Sequence, residues 1–356
     1  MPITSTNQET AAMPTYTTVA TGTKLADIKL SKVIWVEHEI ESFFSSNGFI
    51  GKNGSMNSII WMQEDMTKGG GETMRFFMNK RLTGTGVTGD SILLGNEEQL
   101  NYDYFEVTLD QLRHAVAIGG SLAEQRSVAN MRVDAKNRLK GWLAEKLDAK
   151  LFTALSAGTP TYAVYSGDAG AVSGLSETST MNLAIIGKAR SIMRLNRIKG
   201  VNVGGKEHYV MIMHIEQAYD LQNGINDSEW QAIVLAAGVR GDKNPIFTGA
   251  LGMYLDVILY AHENISQADT GGSGGDVHYS MGLMLGAGAG VRAYGGFKDT
   301  NKQVKAVEDK FDYDNVYATA LAVIVVEAKS KFTADLGSTY TDYAVCAVYT
   351  ACTDLS

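Results

Sequence analysis

Three glycine-rich stretches, six histidines and two cysteines are the residues here whose types and spacing invite a chemical reading. Gly84-x-Gly86-x-x-Gly89 has the letters of a dinucleotide-binding turn. That chemistry needs a strand before the glycines and a helix directly after them, so that the helix N-terminus meets the pyrophosphate. Asp90-Ser91 and another glycine turn come next instead, then a strand pattern. Gly200-Val201-Asn202-Val203-Gly204-Gly205-Lys206 is similar to a phosphate-binding loop, but Glu207 stands where Ser or Thr would hold Mg²⁺. A carboxylate there repels phosphate, and the residues from His208 onward read as a strand rather than a helix. Gly286-Ala287-Gly288-Ala289-Gly290 reads as close backbone approach or a turn between sheet elements.

The histidines are His38, His114, His208, His214, His262 and His278. His208 and His214 share one strand, but no third ligand is close in sequence, so they read as structural. Cys346 and Cys352 stand six apart on a strand pattern, a poor disulfide framework and a poor metal site. They read as small buried or half-buried residues in a reducing compartment. No Gly-x-Ser-x-Gly elbow and no His-Glu-x-x-His occurs. The paired acids Glu97-Glu98 sit in a glycine-rich arm, where a solvated or intersubunit role fits better than general acid–base work, which wants a rigid, partly buried site. No catalytic residue, cofactor or metal ligand is therefore assigned.

Composition narrows the class further. The net charge of −8 gives no strong non-specific affinity for nucleic acid. Four prolines against 38 glycines favour mobile loops over stiff linkers. The first residues are polar and lack a secretory pattern. The longest apolar run, Val316 to Val326, is too short for a bilayer span and rich in β-branched residues. A soluble protein made in the cytoplasm is expected.

The elements that would position these residues centre on Lys80 to Leu155. A glycine-broken loop over 80–100 leads into an extended segment, 102–118. Gly119-Gly120 breaks it, and Ser121-Leu122-Ala123-Glu124 fits a capping box. Leu139, Trp142, Leu143, Leu147, Leu151 and Leu155 then recur at helical spacing, so one helix of about 50 Å is predicted over 121–155. Gly158 and Pro160 end it. Before it, residues 1–45 read as an arm ending in a helix over 24–44. Strands 58–64 and 73–82 read as a hairpin, with 101–118 running back beside it. Phe105, Val107 and Leu109 alternate with Glu106, Thr108 and Asp110, one face buried and one wet. After the helix, 159–180 reads as a loop or insertion. Helices over 181–198 and 229–239 and strands over 208–215, 253–260, 316–327 and 341–349 complete an α+β chain.

The run Lys80-Arg81-Leu82-Thr83-Gly84, Val87-Thr88-Gly89-Asp90, Gly95-Asn96-Glu97-Glu98 and Leu100 is one of several linked motifs. Asp110-Gln111-Leu112-Arg113-His114-Ala115-Val116, Met281-Gly282-Leu283-Met284-Leu285-Gly286 and Lys310-Phe311-Asp312-Tyr313-Asp314-Asn315 come after it in order. Together they resemble the major capsid proteins of tailed double-stranded DNA bacteriophages, in the branch of short-tailed, N-four-like phages. The resemblance covers about residues 20 to 335.

It implies the tailed-phage major-capsid fold, shared with encapsulins and the herpesvirus capsid floor. It implies an N-terminal arm (1–45), an extended β-hairpin loop (46–118) and a peripheral domain with a spine helix (119–158 and 306–356). The loop 159–179 and an axial domain (180–305) complete it. The implied function is a structural virion protein that self-assembles through hexamers and pentamers around the genome, with no catalysis. Implied partners are further copies of itself, scaffolding, portal and decoration proteins, and packaged double-stranded DNA bound without sequence specificity, with no membrane. The implied location is the virion, after assembly in the host cytoplasm. A long arm with little core of its own needs a second surface. Met74, Phe76 and Phe77 or their opposite-face partners are expected to be buried there. Lys80 and Arg81 against Asp90, Glu97 or Glu98 of another copy are candidate intersubunit ion pairs. An encapsulin-type compartment shell is the alternative on the same fold, and a nucleotide-binding enzyme using a glycine loop is the alternative of another class.

Overall fold

Val210-Met211-Ile212-Met213 is apolar at four successive positions, the pattern of a strand covered on both faces. It lies at the heart of the larger sheet. The computed structural model describes residues 42–52, 55–64, 71–127, 130–224, 250–297, 303–333 and 340–355. In chain order the first elements are α1 (Phe43–Ser46), β1 (Ile60–Gln63), β2 (Thr73–Asn79), β3 (Tyr102–Thr108), β4 (Asp110–Ile118), α2 (Ser121–Arg126) and α3 (Met131–Ser156). β5 (Tyr162–Tyr165), α4 (Leu183–Leu195), β6 (Val201–Val203), β7 (Lys206–Met213), α5 (Ile215–Asn223), β8 (Gly252–Tyr254) and β9 (Val257–Ala261) come next. The last are β10 (Gln267–Gly271), β11 (Val277–Leu285), β12 (Gly290–Tyr294), β13 (Val304–Phe311), β14 (Val316–Lys329), β15 (Lys331–Thr333), β16 (Tyr340–Asp342) and β17 (Val345–Ala351). The expected N-terminal helix lies outside the described residues except at its end, and the helix expected over 229–239 lies wholly outside them.

The chain forms two units. The described residues of the smaller fall within Gln111–Ala144 and Val304–Val323. There β13 pairs antiparallel with the first half of β14, from Val304↔Val323 to Phe311↔Val316. Ile118, Ala135 and Tyr317 are its buried apolar cluster. Arg132 stacks 4.4 Å over the Tyr317 ring.

The larger unit holds an eight-stranded mixed sheet in the order β5-β17-β11-β7-β9-β8, with β10 on β11 and β6 on β7. β7 runs parallel to β9 and antiparallel to β11, which explains its continuous apolar run. Helix α4 begins at Asn182, whose side chain accepts from the Ile185 N–H at 3.0 Å. Its Ile185, Ile186, Ala189 and Met193 belong to the main core. The glycine run 286–290 turns between β11 and β12. A Cβ at Gly288 would lie 2.3 Å from the Trp61 indole, and Gly288 has φ +75°, so only glycine fits there.

Five expectations change. The single spine helix is two helices, α2 and α3, because Ser127 is extended (φ −80°, ψ 135°). The 26 residues of α3 make a rod of about 39 Å. The capping box does not form: the helix cap falls on Gly120, the Ser121 N–H donates to Asn315 Oδ1 at 3.2 Å, and Glu124 takes the Arg132 guanidinium at 2.6 and 2.9 Å. The partner of β2 is β3, paired at Phe76↔Phe105, while β1 lies parallel to β12 at Ile60↔Gly290. Both β2 and β3 alternate, so their apolar faces match across the ladder.

The loop expected over 159–180 contains β5, which pairs parallel with β17 and stacks Tyr165 on Tyr349 with centroids 5.0 Å apart. Four residues are too short to announce a strand by pattern. The strand expected over 253–260 is the hairpin β8–β9, whose turn residues Leu255 and Asp256 have φ of 49° and 70°. Arg190 and Arg194 hold the Asp256 carboxylate at 2.8 and 3.2 Å and stabilise that left-handed turn.

Candidate assembly surface

Strands β2 and β3 divide the arm into two faces. Met74, Phe76, Phe105 and Val107 point inward and join Val291, Ala293 and Phe332 in one buried cluster. Phe76 stacks on Phe105 with centroids 5.4 Å apart, and Phe105 meets Phe332 edge-on at 5.1 Å. Met74 and Phe76, expected to be covered by a neighbour, are thus covered by the chain itself. Alternation reveals a buried face but not whose atoms bury it. The outer face carries Phe77, 59% exposed, beside Tyr104 at 5.8 Å. Arg75 lies over Tyr104 at 5.0 Å and pairs with Glu106 at 2.6 Å.

Beyond the ladder the loop is closed by carboxylates. Lys80 Nζ lies 3.8 Å from Asp103, with both side chains largely buried, and the Lys80 N–H donates to the Asn101 carbonyl at 2.9 Å. Glu98 accepts from the Thr83 N–H at 2.6 Å, the Gly84 N–H at 2.7 Å and the Thr83 hydroxyl at 3.3 Å. These backbone hydrogen bonds from Thr83 and Gly84 hold its carboxyl below the usual range. A Cβ at Gly84 would sit 2.7 Å from that carboxylate, so a larger residue there would push the Glu98 side chain aside. Glu97 accepts from the Gly95 N–H at 2.8 Å. Lys80, Glu97 and Glu98, expected to reach another copy, are therefore engaged inside their own loop. Arg81 and Asp90 are exposed.

The tip carries what sequence reasoning passed over. Ile92, Leu93 and Leu94 are 74%, 59% and 84% exposed, in a turn closed by the Asn96 N–H on the Leu93 carbonyl and the Asn96 amide on the Ile92 carbonyl. Leu82 and Leu100 add further exposed apolar surface at the neck. Three adjacent bulky aliphatics in a charged, glycine-rich loop were the available signal. In the smaller unit, Tyr313 is fully exposed on the β13–β14 turn, where Asp312, Tyr313 and Asp314 all take positive φ. Single non-glycine residues visit that region at a cost, so three in a row mark a turn under constraint.

A cleft of about 740 Å³ opens between β3, α3 and β14, lined by Glu106, Glu327, Lys329 and Lys331 among others. Several of its charges are already committed. Lys329 Nζ binds Asp342 and the Ala157 carbonyl, each at 2.7 Å, and buried Glu327 faces buried Arg292. The glycine motif 84–89 leads to a turn rather than a helix, and 200–206 is the β6–β7 hairpin. Neither has the strand–loop–helix geometry that holds a phosphate.

The arm engages Lys80, Glu97 and Glu98 within its own loop and leaves its aliphatic tip exposed, an apolar patch of the kind that marks an interaction surface. The fold places the chain among tailed-phage capsid proteins. The capsid of Ralstonia phage GP4 superposes with a TM-score of 0.81 at 26% identity, over 96% of this chain and all of that one. The capsid of cyanophage Pam1 gives 0.74 at 19% identity, over 94% and 98%. The major capsid protein of Pseudomonas phage KPP25 is 26% identical across 76% of this chain and 81% of its own length. The family described as phage capsid protein matches residues 18–171 and 161–354, and the chain belongs to it.

Proposed function

We propose that this chain is a major capsid subunit whose extended loop docks through Ile92, Leu93 and Leu94 on a neighbouring copy, building hexamers and pentamers of an icosahedral shell. The observation that carries the docking is the aliphatic tip, exposed while Glu97 and Glu98 beside it are satisfied within the loop. Burying a full aliphatic side chain contributes about 1.5–3 kcal/mol, and a closed shell repeats each contact in every copy. Phe77 and Tyr104 on the outer face, with Arg81 and Asp90, extend the same docking surface. Met74 and Phe76 support it from below.

On this reading residues 46–118 are the extended loop, 119–158 with 306–356 the peripheral domain, and 180–305 the axial domain that gathers around the shell's symmetry axes. Scaffolding, portal and decoration proteins are its further partners. The net charge of −8 keeps packaged DNA from adhering to the inner wall. Assembly takes place in the host cytoplasm, and the subunit carries out no catalysis. Negative-stain electron microscopy with size-exclusion chromatography tests the assembly. Closed shells or six- and five-membered rings are expected. Only monomers, even with the cognate scaffold supplied, would refute it.

A further inference from the structure

Residues far apart in sequence bring metal-binding donors together beside α5. Glu216 is the second residue of that helix, His278 lies on β11, and Cys352 comes directly after β17. A Glu216 carboxylate oxygen, a His278 ring nitrogen and Cys352 Sγ all lie within 4.8 Å of one another. Glu216 and Cys352 are each 8% exposed, while His278 is only half-buried, which leaves an ion a way in. His278 Nε2 stands 2.8 Å from Glu216 Oε2. On the far side of the ring, His278 Nδ1 faces the Asp269 carboxylate. Ser280 Oγ lies 3.1 Å from Cys352 Sγ. The Gln267 amide nitrogen touches Glu216 Oε2, lies 2.8 Å from His214 Nδ1 and 3.4 Å from His278 Nε2. His214 Nδ1 is itself 3.6 Å from Glu216 Oε2, but it serves as the cap of α5, accepting from the Glu216 N–H at 3.3 Å.

The plainer account is a His–Glu hydrogen bond stiffening the sheet, and two features go beyond it. A thiol converges on the same point as the imidazole and the carboxylate, where a hydrogen bond between the other two has no use for it. The Asp269–His278 contact is also the carboxylate–imidazole pairing that orients a metal-binding histidine, fixing Nδ1 as the protonated nitrogen and Nε2 as the free donor. Sulfur, nitrogen and oxygen donors in one small cluster suit a borderline ion that accepts tetrahedral coordination.

We infer that Glu216, His278 and Cys352 form a binding site for a zinc-type divalent cation, with water in the fourth position. The cation displaces the shared proton between His278 and Glu216, and that proton and the Cys352 thiol proton are both released to solvent as the metal–nitrogen, metal–oxygen and metal–sulfur bonds form. The bound ion ties the segment after β17 to α5 and β11, adding a clasp to the Thr353–Asp220 hydrogen bonds already there (2.7 and 2.9 Å). Asp269 is a positioning residue.

The test uses the full-length protein, stripped with EDTA, freed of chelator and titrated with Co²⁺ and then Zn²⁺. One ion per chain is expected, with a near-ultraviolet thiolate-to-cobalt band that Zn²⁺ bleaches. Cys352→Ser abolishes the band and Cys346→Ser, which alters the other buried thiol, keeps it. Asp269→Asn weakens affinity by about 10-fold or more while the band persists at saturation. A folded wild-type chain that gives no saturable cobalt band overturns the site, whatever the variants do. So does a band that survives in Cys352→Ser.

Discussion

Replacing Ile92, Leu93 and Leu94 together with serine addresses the docking contact without touching the subunit's own core. These side chains are 74%, 59% and 84% exposed, so together they offer the equivalent of about two whole side chains to a neighbour. At about 1.5 kcal/mol each, the low end for an aliphatic side chain, the loss is ~3 kcal/mol per loop contact. That corresponds to ~100-fold weaker association at each contact. The threshold concentration for shell formation should rise accordingly, read by sedimentation and electron microscopy across a dilution series. The isolated subunit should unfold in urea at the wild-type midpoint, because the tip side chains are largely exposed among the described residues. Wild-type assembly by the triple variant would refute the reasoning. A lowered urea midpoint would show that the tip packs internally.

Phe76→Ala should act in the opposite way, costing the unassembled subunit about 3–5 kcal/mol in urea unfolding, because it empties the cluster of Phe105, Val107 and Phe332. Glu98→Gln should loosen the clasp on Thr83 and Gly84 and speed limited proteolysis between residues 83 and 100, and unchanged cleavage would count against the clasp. Burial pushes the Glu327 carboxyl from 4.5 to about 7 against the pull of Arg292 and Lys150, with Asp148 adding to the rise. The folded state therefore binds this proton more tightly than the unfolded chain does. Its contribution is full below pH 4.5 and fades by about 3 kcal/mol as pH climbs to 7, a slope that Glu327→Gln should flatten in urea titrations. Gly288→Ala should lower thermal stability markedly, since its Cβ meets the Trp61 indole at 2.3 Å.

Much of the fold was legible because local periodicity reports local structure. The run from His208 to Ile215 marked a strand, and its residues Val210 to Met213 are buried. The alternation from Phe105 to Asp110 marked an arm with one dry face, and the order of the linked motifs led to the right family. The dinucleotide-type letters at 84–89 and the phosphate-loop letters at 200–206 are each followed by residues that lack helical spacing, and a turn and a hairpin stand there. Where the reading departed from the molecule, the deciding interaction was non-local. Ser127 breaks the spine although the apolar stripe resumes beyond it. Arg132 draws Glu124 away from the capping box, and Asn315 takes the Ser121 N–H.

The sequence by itself determined the strands and helices of strong periodicity and which of their faces must leave water. Only the tertiary structure decided what covers those faces. It turned Met74 and Phe76 onto Phe105 and Phe332 rather than onto a neighbour, left Ile92 to Leu94 bare, and gathered Glu216, His278 and Cys352 at one point. The division has a physical cause. Backbone propensity and periodicity act over a few residues and are written in neighbouring side chains. Burial and the convergence of donors depend on segments separated by scores of residues, whose contacts exist only once the sheet has closed.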